Sequence, residues 1–110
     1  MGTQTILIVD DEPANLAIMD GILAATYSLA FARSGAEALV AVAKHRPALV
    51  LLDVGLPDID GYALCRKIQE TYPAQGVQVI FVSGFGDAVH EAAGFEAGGA
   101  DYLIKPAMPF

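Results

Sequence analysis

Apolar residues in this chain come in short blocks, and the blocks have two different textures. Residues 5–9 (TILIV), 48–52 (ALVLL) and 78–82 (QVIFV) are nearly unbroken apolar runs of strand length. Such runs suit strands covered on both faces, as in a parallel sheet, better than half-exposed strands that alternate. Residues 28–32 (SLAFA) and 102–104 (YLI) are further strand candidates. Between the blocks the apolar spacing changes to that of helices. Pro13 suits a first helical turn, and Leu16, Met19 and Leu23 then share one face. Residues 34–37 (SGAE) read as a capping box with Ser34 as cap and Glu37 three residues on. Leu39, Val42 and Ala43 are expected on the buried stripe of that helix, which Pro47 closes. Residues 60–73 place Leu64 and Ile68 one turn apart and stop at Pro73. Residues 87–99 form the weakest helical pattern, interrupted by Gly94 and ended by Gly98 and Gly99.

Strands alternating with helices in a small chain predict a single α/β domain with a doubly wound parallel sheet. Ligands of such sheets bind beyond the carboxyl ends of the strands. Asp10, Asp11 and Glu12 follow the first run, Asp53 the third, Ser83 the fourth, and Lys105 with Pro106 the fifth. Only Arg33 and Ser34 follow the second. Carboxylates gathered at one edge repel unless a cation sits among them. Hard oxygen donors on a small site favour Mg²⁺, which keeps several waters and takes few protein ligands. A carboxylate beside Mg²⁺, flanked by a hydroxyl and an ammonium, is an arrangement for phosphoryl transfer.

Composition narrows the partners. The chain has 110 residues, a net charge of −7 and 55 % hydrophobic residues. The charge argues against nonspecific binding to nucleic acid or an anionic membrane. No apolar run approaches the ~20 residues of a membrane helix, and no signal segment opens the chain, so a cytoplasmic setting is expected. Cys65 is the only cysteine and reads as a small core residue. His45 and His90 have no ligand partners at metal spacing and read as surface residues.

The motifs VDDE (9–12), LLDVGLPDIDGY (51–62), FVSG (81–84) and GADYLIKP (99–106) occur in this order and spacing. Together they resemble the receiver domain of two-component response regulators, the family of the chemotaxis protein CheY, from Thr5 to about Pro106. The resemblance implies a five-stranded parallel sheet in the order 2-1-3-4-5 with helices on both faces. It implies that Asp53 accepts a phosphoryl group from a phosphohistidine. Asp10 and Asp11 match the acidic pair, with Asp11 binding Mg²⁺ directly and Asp10 largely through water. The Gly55 backbone carbonyl matches a further metal ligand. Ser83 and Lys105 match the hydroxyl and ammonium that reach the phosphoryl oxygens. Tyr102 matches the switching aromatic residue, and Pro106 the residue after a cis peptide bond that aims the lysine.

The implied partners are a histidine kinase or phosphotransfer protein and an output domain beyond this chain, with cyclic-di-GMP turnover as the flavour of the motifs. A hybrid-kinase receiver is the alternative. An aspartate-nucleophile phosphatase of the haloacid dehalogenase type is the alternative from another class, but it requires a second aspartate where Glu12 stands. Such a domain would catalyse only its own phosphorylation and dephosphorylation. Three features depart from the family pattern. Gly55 and Phe85 flank the path of an attacking water, and after KPAMPF the expected last helix is absent. The expectation is therefore a receiver over residues 1–110, cut before that helix, with an apolar face near residues 22–27 that favours a homodimer.

Overall fold

The structure is a computed structural model that describes residues 4–72, 76–83 and 101–104, with the backbone alone at 83 and 101–104. In chain order the elements are β1 (Thr5–Val9), α1 (Pro13–Leu23), β2 (Ser28–Ala32), α2 (Gly35–His45), β3 (Leu49–Asp53), α3 (Gly61–Thr71), β4 (Gln78–Ser83) and β5 (Asp101–Ile104). The strands form one sheet in the order β2-β1-β3-β4-β5, parallel throughout. The doubly wound fold and its strand order are therefore as expected.

Strand texture decides position in the sheet. β1 and β3 are buried from their second residue onward and lie inside the sheet. β2 lies at the edge and leaves Ser28 and Phe31 exposed. Successive side chains point to opposite faces, so each strand feeds two cores. Leu7, Val9, Val50, Leu52, Val79 and Phe81 face one way and pack with Ala38, Val42, Leu64, Cys65 and Ile68 of α2 and α3. Ile6, Ile8, Leu51 and Val82 face the other way, against Leu16, Met19 and Leu23 of α1. Each fully buried Leu, Ile or Phe contributes roughly 1.5–3 kcal/mol, so the α2–α3 side is the larger share of the core. Tyr62 of α3 meets Phe81 edge-on there, with ring centroids 5.0 Å apart.

The helix starts follow local chemistry. Ser34 caps α2 by accepting from the Glu37 N–H at 3.2 Å. The Glu37 carboxylate accepts from the Arg33 N–H at 3.0 Å, one residue before the cap rather than at it. Asp60 caps α3 by accepting from the Tyr62 N–H at 2.8 Å. α2 ends at Arg46, whose φ of 47° is left-handed. One detail of the sequence reading is corrected. The buried stripe of α2 is Gly35, Ala38, Ala41 and Val42, with Leu39 half-buried, whereas Ala43 is exposed. Ala43 lies about 140° round the helix from Ala38 and about 160° from Ala41, and so falls off the stripe that Ala38, Ala41 and Val42 set at i, i+3, i+4.

On the α1 side, Ile18, Ile22 and Tyr27 are exposed, and no residue of α1 is buried. The expected helix over 87–99, Phe85, Lys105, the Pro106 peptide bond and the reading of the chain's end lie outside the described residues. No described helix is long and apolar enough to cross a membrane.

Candidate functional site

Register brings the acids together. β1 pairs with β3 so that Val9 lies beside Leu52, and the next residues on the two strands are Asp10 and Asp53. Asp11 follows at the turn into α1. Oxygens of Asp10, Asp11 and Asp53 all lie within 4.8 Å of one another. Asp10 is 5 % exposed and Asp53 8 %, the two buried charged residues among those described. At that separation each carboxylate pair repels by roughly 3 kcal/mol at the effective dielectric of a protein edge. Three such pairs are a large debt for a marginally stable domain. Donors or a cation must answer it.

Backbone and side-chain donors answer part of it. Asp10 accepts from the Glu12 N–H at 2.9 Å with one oxygen and from the Asn15 side-chain amide at 3.1 Å with the other. Asp53 accepts from the Gly55 N–H at 3.2 Å. The Arg33 guanidinium donates to the Asp11 backbone carbonyl at 3.4 Å, and Asp11 is half-exposed. Asp10 thus accepts at both oxygens. Three oxygen donors of this hardness fit a small divalent cation such as Mg²⁺.

The β3–α3 loop carries Gly55. It is closed at its base by the Gly61 N–H donating to the Val54 carbonyl at 2.9 Å and by an antiparallel bridge between Gly55 and Asp60. Gly61 permits that closure. A Cβ there would lie 2.6 Å from Val54 Cα and 2.7 Å from the Asp53 carbonyl oxygen. On the other flank, β4 pairs Val82 with Asp53, so the Ser83 backbone lies one residue farther along, toward the same edge. Ser83 in turn pairs with Ile104, and Tyr102 with Phe81. The carboxylates of Asp10, Asp11 and Asp53 thus come together, Gly55 meets Asp53 through its N–H, the Ser83 backbone is at the edge, and Lys105 and Pro106 lie outside the described residues.

Two contributors were not foreseen. Asn15 sits beside half-buried Leu16 on α1, and a polar residue there is the only signal the sequence offers. Asp58 accepts from the Gly35 N–H at 2.8 Å and the Ala36 N–H at 3.0 Å, tying the loop to the start of α2. These two bonds, Gly35 first, hold its carboxyl below the usual value. Its partners are 22 and 23 residues away, beyond any local pattern. Cys65 lies in the core, where burial pushes its thiol up to about 11. It is an inert packing residue, as its place in the helical pattern suggested.

Comparison with known proteins places this chain among relatives. The family model of the response regulator receiver domain matches residues 6–109. A Vibrio cholerae protein named "Probable cyclic di-GMP phosphodiesterase" is 42 % identical over 102 residues, covering 93 % of this chain and 23 % of that protein. The chain thus spans about a quarter of that relative's length, and less than half of a mycobacterial DNA-binding response regulator. Among solved structures, a CheY-like response regulator receiver domain protein from Methanospirillum hungatei superposes with a TM-score of 0.89 at 31 % identity, covering 98 % of this chain and 86 % of that one. The signal receiver domain of an HD domain-containing protein from Pseudomonas fluorescens gives 0.88 at 30 %, covering 97 % and 86 %.

Proposed function

Because this chain belongs to the response regulator receiver domain family, we propose that it is a phosphorylatable signalling switch with Asp53 as the acceptor. The observation that carries the reading is the meeting of Asp10, Asp11 and Asp53 at the carboxyl end of the sheet. Asp11, Asp53 and the Gly55 carbonyl would hold Mg²⁺ directly, and Asp10, already occupied by two donors, through water. Bound there, the ion supplies charge neutralisation between the carboxylates and the phosphoryl oxygens.

The reaction proposed for the chain's own residues is a displacement. A carboxylate oxygen of Asp53 attacks the phosphorus of a phosphohistidine on a kinase or phosphotransfer protein. The P–O bond forms as the P–N bond breaks, and the imidazole leaves and takes up a proton. Asp53 is presented for this by the Gly55 N–H, which fixes one oxygen. Ser83 and Lys105 then take the phosphoryl oxygens, and Tyr102 follows Ser83. The face around β5 and the helix expected over residues 87–99 changes population between two states, which biases an output partner. The domain modifies only itself; the phosphodiesterase activity in the relative's name is that protein's own. For the output we favour cyclic-di-GMP turnover, supported by the name of the Vibrio relative, over a hybrid kinase. A cytoplasmic setting follows from the phosphohistidine donor.

The test is intact-mass spectrometry after incubation with Mg²⁺ and acetyl phosphate. One acid-labile phosphoryl group is expected on the wild type and none on Asp53→Asn. Equal labelling of the two proteins would remove Asp53 from its role.

A further inference from the structure

We propose that Asp58 is a positioning residue for the acceptor site: by gripping the first two N–H groups of α2, its carboxylate holds the β3–α3 loop in the shape that presents the Gly55 carbonyl beside Asp53. The inference rests on the reading above that this carbonyl helps to hold Mg²⁺.

The loop between β3 and α3 has a closed base and an exposed tip. Its base is fixed by the Gly55–Asp60 bridge and the Gly61-to-Val54 hydrogen bond. Its start is coupled to the acceptor, since the Gly55 N–H donates to Asp53. The tip has little packing of its own: Pro57 and Asp58 are exposed, and Leu56 and Ile59 only half-buried. Two features at one place secure it to α2. The first is the forked bond from Asp58 to Gly35 and Ala36, at 2.8 and 3.0 Å. The second is the absence of a side chain at Gly35, where a Cβ would collide with Ile59 Cγ2. Gly35 therefore lets the loop approach, and Asp58 fastens it.

The helix had a local way to satisfy its start. Ser34 already takes the Glu37 N–H, and Glu37 takes the Arg33 N–H. Such caps suffice for most helices. The remaining two amides are instead given to a residue three positions from Gly55. A tie of this kind orients a metal-binding loop as outer-shell partners orient ligands, and loss of such partners weakens metal binding as well as stability. A bond that served the helix alone would affect stability only.

Four proteins separate these roles: wild type, Asp58→Ala, Asp58→Asn and Ser34→Ala. Ser34→Ala removes the other cap of the same helix and leaves the loop tied. Each is titrated with MgCl₂ by calorimetry or amide NMR, at a temperature where its melting curve shows it folded. Ser34→Ala should melt lower than wild type and bind Mg²⁺ equally well. Asp58→Ala should melt lower and bind roughly tenfold more weakly, the low end for outer-shell groups. Asp58→Asn, which keeps one acceptor oxygen but no charge, should fall between. Wild-type affinity in Asp58→Ala would overturn the inference, and so would equal losses in Asp58→Asn and Asp58→Ala, because charge rather than tethering would then be the cause. A wild type that binds no Mg²⁺ would overturn the metal reading and this inference together.

Discussion

Adding one methyl group at Gly61 should damage both the stability and the chemistry of this domain, whereas adding one at Gly55, on the same loop, should not harm stability. In Gly61→Ala the new Cβ would meet Val54 Cα at 2.6 Å and the Asp53 carbonyl oxygen at 2.7 Å. Ordinary contact begins at 3.4 Å, so α3 must retreat from the strand end by roughly 0.8 Å against backbone that cannot fold away. Overpacking of this kind destabilises by about 1–3 kcal/mol, partly offset by the better helix propensity of alanine, about 1 kcal/mol at most. A net loss of about 1–2 kcal/mol lowers the melting temperature of a domain this size by roughly 5–10 °C. The obstacle touches the backbone of Asp53, the proposed acceptor, so labelling by acetyl phosphate should slow as well.

At Gly55 nothing lies within 4 Å of a built Cβ, and its φ is outside the left-handed region. Gly55→Ala should therefore gain about 0.4–1 kcal/mol by restricting the unfolded chain. The assay is far-UV circular dichroism against temperature and urea, with labelling rates taken where all three proteins are folded. A Gly61→Ala protein that melts with wild type, or a Gly55→Ala protein that melts as low as Gly61→Ala, would refute the steric argument.

Further outcomes follow from the same contacts. Asn15→Ala removes a donor from the Asp10 carboxylate, so stability should fall by about 1 kcal/mol and Mg²⁺ should bind more weakly by calorimetry; no change in either would remove its orienting role. Asp58 has its carboxyl held below the ordinary 3.8, so its contribution is present above that value and lost as pH falls through its lower folded-state value. The difference in melting temperature between wild type and Asp58→Asn should be widest near neutrality and close as the pH is taken below 3.8; a gap that widens in acid would contradict this. Arg46 ends α2 at a φ of 47°, and Arg46→Gly should raise the urea midpoint by an amount equivalent to about 1 kcal/mol. An unchanged or lower midpoint would show that the arginine side chain compensates the strain.

Much of this architecture could be read from the pattern of residues, because the information was local. The unbroken apolar runs of β1 and β3 announce burial on both faces, and both strands are interior. Ser34 and Asp60 stand at helix starts because their oxygens reach amides two or three residues on. The acids at the strand ends could be placed together because parallel register fixes neighbours once strand order is known. What escaped depends on three-dimensional proximity. Asp58 stands in a turn-rich stretch that reads as solvent-facing, and nothing in it names a partner at Gly35. Asn15 differs from an ordinary helix polar residue only by which way it leans. Ala43 was misplaced because alanine fits either face of a helix, and only the stripe through Ala38 and Val42 decides it.

The central claim is that Asp10, Asp11 and Asp53 form one metal-assisted acceptor. A crystal structure of this chain with Mg²⁺ and beryllofluoride, a stand-in for the phosphoryl group, tests it most directly. The expected result is a single adduct on an Asp53 carboxylate oxygen, with Mg²⁺ about 2.1 Å from oxygens of Asp11, Asp53 and the Gly55 carbonyl and a water between the ion and Asp10. An adduct on Asp10 or Asp11, or an ion seated away from Asp53, would contradict the account.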